Sequence, residues 1–178
     1  MDDSLPFASK TWFVMLGLLL FGRGMDFLST WVATPNLVLE GNPIAKKLGW
    51  KWGIPLNLFI CFSVAFWPVS AIVITTTSVL VAARNFQSAW MMRSMGEEFY
   101  RDWYVTRMQQ APLSLYLFCL FGQTLLTALV GAAVFYFGQR SDVLAAIGIG
   151  IIAYAAAVLI FTLIAVWRTR WAMRSHSE

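Results

Sequence analysis

Charge is scarce in this chain. Only 12% of its 178 residues are Asp, Glu, Lys or Arg, whereas 59% are hydrophobic. An ordinary soluble domain carries about twice that share of charge, so this chain cannot cover a folded surface with polar groups. Histidine is scarcer still, with one copy at His176 near the C-terminal end. That excludes histidine-ligated haem, a His-based di-iron site and a His-based triad. The two cysteines, Cys61 and Cys119, both fall inside apolar runs. They are too few for a disulfide framework or a zinc site and read as small buried apolar residues. No Gly-rich phosphate loop, HExxH or GxSxG is present, which weighs against an enzyme.

What the sequence has in quantity is apolar runs, and its mean hydropathy is +0.67. Crossing the hydrocarbon takes about 20 apolar residues in a helix, because every backbone amide must find its partner within the segment. Four stretches meet that requirement: 11–33, 55–83, 112–138 and 143–167. Trp12, Trp31, Trp52, Trp167 and Trp171 stand near their ends, where amphipathic rings favour the interface. The expected fold is an all-α integral membrane protein, one transmembrane domain over 1–178 with a bundle of about four helices. A signal peptide is the rival reading of the first run. The acidic Asp2 and Asp3, and the lack of a small-residue cleavage site, favour a retained span.

The net charge of +4 does not point to nucleic acid, because the basic residues lie at the ends of apolar runs rather than in one patch. With the N-terminus inside, the cytoplasmic side holds Lys10, Arg84, Arg93, Arg101, Arg107, Arg168, Arg170 and Arg174. The outer side holds Lys46, Lys47, Lys51 and Arg140. This excess places both termini in the cytoplasm. Between the second and third spans, Met92, Met95, Phe99 and Trp103 recur at helical spacing opposite Glu97, Glu98, Arg101 and Asp102. The pattern predicts an amphipathic interfacial helix over 86–108, with Glu97 and Arg101 as an i,i+4 pair. The short 138–142 hinge predicts an antiparallel hairpin of the last two spans. In the fourth span, Gly148, Gly150 and the alanines at 153 and 155–157 predict close helix packing. Pro68 should bend the second span, and the hydroxyls of Ser70 and Thr75–Thr77 beyond it are candidates to line a cavity.

The informative polar residues lie between 23 and 57. An ionised group inside the bilayer costs about 3 kcal/mol or more, so it needs a reason. Arg23 and Asp26 share a helix face and can neutralise one another, and Ser29 and Thr30 continue that polar stripe. Glu40-Gly41-Asn42-Pro43 is a helix start, with Asn42 as N-cap and Pro43 at the first helical position. The helix it opens is short, about 43–48, ending near Gly49. Asn57 begins the second span nearby, and Gln123 adds a polar group from the third. Asp26, Thr30, Glu40, Asn42 and Asn57 are oxygen donors of the kind hard cations prefer.

Asp26-Phe27-Leu28-Ser29-Thr30, followed by Glu40-Gly41-Asn42-Pro43, resembles the D-x-x-[ST]-T … E-x-N-P pattern of the DUF5658-like proteins, a small prokaryotic membrane family. The resemblance covers about residues 20–60. It implies a short multi-span protein of the prokaryotic inner membrane without an assigned activity, and it singles out Asp26, Thr30, Glu40, Asn42 and Pro43.

Three function classes follow. The first is a membrane protein that binds or transports a cation, proton or small polar solute at the cluster of Arg23, Asp26, Ser29, Thr30, Glu40, Asn42, Asn57 and Gln123. A bound monovalent or divalent cation, held by Asp26 and Glu40, is the only cofactor it calls for. A transport pathway on so thin a scaffold calls for a homo-oligomer. The second is a structural or accessory subunit, in which Arg23–Asp26 is an internal ion pair and the interfacial helix docks a membrane-protein partner. The third, a lipid-modifying enzyme, would use Asp26 and Glu40 as an acid–base pair or to hold Mg²⁺. All three take membrane lipids, not nucleic acid, as their surroundings.

Overall fold

Ser9 opens the first helix by accepting the Trp12 backbone N–H at 3.1 Å, a side-chain N-cap that satisfies one of the donors every helix start leaves open. The helix that follows is α1 (Lys10–Ala33). The computed structural model describes residues 4–174, with side chains as far as Arg170. His176, Asp2, Asp3 and the ring of Trp171 therefore lie outside the described residues. After α1 come α2 (Pro43–Val64), α3 (Pro68–Met95), α4 (Glu97–Gln110), α5 (Leu113–Phe137) and α6 (Asp142–Arg174). Among the described residues every regular element is a helix. Four of them, α1, α3, α5 and α6, are long and apolar enough to cross a membrane.

The start of α2 is as the sequence predicts. Asn42 caps it by accepting the Ile44 and Ala45 N–H groups, and Pro43 follows in the first turn. The short opening helix then breaks at Gly49, whose φ of 61° is in the left-handed region open to glycine. A second, apolar segment continues from Trp50 to Val64.

Side-chain contacts fix the helix directions. Going up α1, Trp12 meets Phe62, Arg23 bonds to Asn57, and Phe27 meets Trp50. The residue numbers on α2 fall as those on α1 rise, so the two helices are antiparallel. Against α3 the order is reversed: Gly22 packs on Thr75, Arg23 reaches Ser78, and Ser29 meets Asn85. Hence α1 and α3 are parallel, and α2 carries the chain back between them. At 1.5 Å per residue, Trp50–Val64 covers roughly 22 Å.

This arrangement corrects two expectations. The stretch 55–83 is not one bent span. The chain reverses at 65–67, because Pro68 has no N–H for the Val64 carbonyl and forces Trp67 into an extended conformation (φ −117°, ψ 101°). Trp67 takes the Val64 carbonyl instead, and Pro68 starts α3. The second correction concerns the chain ends. α6 is parallel to α3: Gly150 meets Thr76 and Thr77, Val81, Asn85, Tyr154 and Phe161 line one cavity further along, and Arg170 at the far end of α6 bonds to the end of α4, the helix that follows α3. The start of α1 and the end of α6 therefore lie at opposite ends of the bundle, which does not fit both termini on one side.

The expected hairpin is present: α5 and α6 are antiparallel, and Gly131 and Gly148 meet where they cross. Thr75–Thr77 serve packing rather than a cavity. Thr77 Oγ1 donates to the Gly150 carbonyl at 3.1 Å, and Thr75 lies against Gly22 of α1. α4 is the amphipathic connecting helix, shorter than expected because α3 continues to Met95 and Gly96 (φ 83°) breaks the chain there. Its buried residues are Tyr100 and Met108, while Phe99 points outward. Arg170 holds its C-terminal end by donating to the Met108 and Ala111 carbonyls. Trp31, Trp52 and Trp167 are exposed, but Trp12 is buried in an aromatic cluster with Phe7, Phe62 and Phe66.

Candidate functional site

Arg23 lies in mid-span on α1, and three elements gather around its guanidinium. From α1, Asp26 accepts Nη1–H at 2.9 Å. From α2, Asn57 Oδ1 accepts Nε–H at 2.8 Å and also Nη2–H. From α3, Ser78 Oγ accepts Nη1–H at 3.3 Å. Asn57 is itself held in place, since its Nδ2 donates to the Gly53 carbonyl at 2.8 Å. The Phe27 ring stacks near the guanidinium carbon, 5.8 Å from centroid to Cζ. The expected Arg23–Asp26 pair is thus formed, and it ties three helices together.

One turn further along α1, Asn85 of α3 donates its amide to Ser29 Oγ at 3.2 Å and Thr30 Oγ1 at 3.3 Å. Ser29 is fully buried and also bonds to the Asp26 carbonyl. Beyond α1, Glu40 accepts the Asn42 N–H at 2.7 Å, and Trp50 Nε1–H donates to the Pro35 carbonyl at 2.8 Å. These bonds shape the loop between α1 and α2 into a cover over one end of the bundle.

Beneath that cover is a cavity of about 540 Å³, bounded by α1, α2, α3 and α6. Arg23, Asp26, Thr30, Glu40, Asn42 and Asn57 all line it. Two candidates do not. Ser29 is packed behind the wall, and Gln123 is exposed on α5, where its main-chain carbonyl accepts the Thr127 hydroxyl. The oxygens proposed for a cation already hold donors: Asn57 with Arg23, Asn42 with its helix cap, and Thr30 with Asn85. Among the described residues no group of three or more His, Cys, Asp or Glu could hold a metal.

Sequence reasoning missed Arg84 and Asn85, which line the cavity from α3, and Tyr154 and Thr162 from α6. Their signal is visible only once α3 is known to run unbroken to Met95. That continuity places Arg84 inside a span instead of at its edge.

Glu97 was expected to pair with Arg101. Arg101 pairs instead with Glu98 (2.8 Å) and Asp102 (3.1 Å). The Glu97 carboxylate turns to the loop after α1, where it accepts the Thr34 hydroxyl, the Asn36 backbone and side-chain N–H groups (3.1 and 2.9 Å) and the Val38 N–H (3.2 Å). It latches the cover to the start of α4. Partial desolvation pushes this carboxyl up, but the four donors outweigh it and hold the group below its ordinary value of 4.5. A depressed folded value contributes stability that is present above the unfolded value and lost as pH falls through the folded one. Thermal melting between pH 7 and pH 3 should therefore show an acid-side loss that is flatter in Glu97→Gln. An unchanged acid limb in that variant would remove Glu97 from the latch.

No family model matches the chain, and neither a curated protein nor a solved structure is similar to it.

Proposed function

We propose that this membrane protein binds a small polar solute in the cavity between α1, α2, α3 and α6. The observation that carries the reading is that polar groups from within two spans, Arg23, Asp26, Arg84 and Asn85, border an open volume instead of being packed away. About 540 Å³ is within the range of small-molecule sites. A bare cation fits less well, since two guanidinium groups line the site and the best oxygen ligands are engaged. An accessory role gives the cavity no purpose. Membership of the DUF5658-like family belongs to the same proposal, because both halves of the motif border the cavity. Thermal melting of the detergent-purified protein against a panel of small polar solutes and ions, with Asp26→Asn and Glu40→Gln alongside, tests it. Concentration-dependent stabilisation by a solute, with its midpoint concentration shifted in the variants, is the expected result. Stabilisation by metal cations alone, or by nothing, would overturn it.

We further propose that the α4 end of the bundle faces the cytoplasm and the N-terminus the opposite side. Eight described basic residues cluster at the α4 end: Lys46, Lys47, Lys51, Arg93, Arg101, Arg107, Arg168 and Arg170. Only Lys10 and Arg140 stand at the other. This one-sided distribution is the positive-inside pattern. It also removes the conflict that the basic residues at 46–51 pose for a cytoplasmic N-terminus. A fluorescent-protein fusion at the C-terminal end should be fluorescent and an alkaline-phosphatase fusion there inactive. The reverse pattern would invert the assignment.

A further inference from the structure

We infer that the solute is an amphiphile whose acidic group, phosphate or carboxylate, seats against Arg84 while its apolar part lies along α2 and α6. This rests on the cavity being a binding site. The two arginines in its wall are not equivalent. Arg23 is neutralised by Asp26 and further satisfied by Asn57 and Ser78. Arg84 is half-buried, lines the same cavity, and among the described residues makes no hydrogen bond or ion pair. Its electrostatic neighbour on α5 is the phenol of Tyr116, a neutral group at pH 7. A guanidinium cannot shed its proton, so within a span it demands an anion, and its planar fork suits a phosphate or carboxylate. The carboxylate of Glu40, in the same wall, does not supply one: it forms no ion pair with Arg84 and bonds to the Asn42 N–H of its own loop.

The rest of the wall selects the remainder of the molecule. Leu56 and Ile60 of α2 and Phe161 of α6 line the cavity, and their chain neighbours Phe59 and Ile160, which do not line it, are exposed on the same two helices. The apolar wall is thus continuous with the surface that meets lipid. A polar recess with one unpaired cation and an apolar exit between two helices matches an acidic headgroup with a chain, delivered from the bilayer.

The test is thermal melting of the full-length protein in a neutral maltoside detergent with three probes: lysophosphatidylglycerol, lysophosphatidylcholine and inorganic phosphate. Lysophosphatidylglycerol should stabilise in a saturable way and exceed both other probes. Arg84→Gln should weaken that response roughly 10- to 100-fold in concentration, the value of a hydrogen bond to a charged group. Arg84→Lys, which keeps the charge and loses the fork, should fall between, and it carries the test if Arg84→Gln fails to fold. Arg101→Gln makes the same charge change on exposed α4 and should respond as the unaltered protein does. Equal responses to the two lysolipids, or to phosphate alone, would overturn the amphiphile while leaving the cavity a solute site. Stabilisation only by neutral polar solutes would do the same. No stabilisation by any probe or solute would remove both readings.

Discussion

Asp26→Ala should destabilise the bundle by about 2–4 kcal/mol, more than Arg23→Leu at the other end of the same pair. Removing one partner of a buried pair typically costs about 3–5 kcal/mol, because the other is left uncompensated. The lower range applies here, since 28% of the Arg23 side chain and 18% of Asp26 remain exposed. The inequality comes from chemistry. If Arg23 is removed, Asp26 can take a proton and become a neutral hydrogen-bonding group. If Asp26 is removed, Arg23 keeps its charge in the span, with only neutral Asn57 and Ser78 to receive it. The double variant Arg23→Leu/Asp26→Leu should recover much of the Asp26→Ala loss. Unfolding midpoints in detergent for the three variants decide the matter. Equal losses for the two single variants would mean that the pair is effectively solvated.

The second large effect is expected where α5 and α6 cross. A Cβ added at Gly148 would stand 2.6 Å from the Phe135 backbone nitrogen and 2.8 Å from the Gly131 carbonyl oxygen. Both obstacles are main chain and cannot swing aside, so the helices must separate. Gly148→Ala should cost about 2 kcal/mol, and Gly148→Leu about 3 kcal/mol or more. In lipid there is little hydrophobic drive to hold separated helices together, since their tails and side chains are equally apolar. Gly122 is a built-in control on α5: a Cβ there meets nothing within 4 Å. Gly122→Ala should be neutral or slightly stabilising, as expected for replacing a helical glycine. If both variants melt alike, the close crossing is not what holds the hairpin.

Much of this architecture was legible because the bilayer imposes a simple rule on sequence. The Arg23–Asp26 pair, the Asn42 cap, the Gly49 break and the α5–α6 hairpin each depend on residues close together in the chain. The reversal at 65–67 was harder to read. An apolar run containing one proline is compatible with a kinked span or with two antiparallel segments, and only packing against α1 distinguishes them. That single ambiguity spread to other readings. It hid the parallel pairing of α1 with α3, displaced Arg84 to a helix end, and put both termini on one side. The Glu97 latch was illegible for a different reason: its four donors lie about sixty residues earlier, and nothing local marks a carboxylate for a distant loop. Gln123, by contrast, was selected for polarity alone, which carries no information about which way a side chain faces.

The gathering of α1, α2 and α3 around one guanidinium has a consequence for how the chain is made. As α1 leaves the ribosome it carries Arg23 with a local counter-ion, but the amide that receives two of its N–H groups is 34 residues away, and the Ser78 hydroxyl is 55 residues away. Residues 10–78 must therefore reach the membrane before the first helix is fully satisfied. Truncation after α1 or after α2 should leave that guanidinium short of partners that only a chain reaching Ser78 supplies.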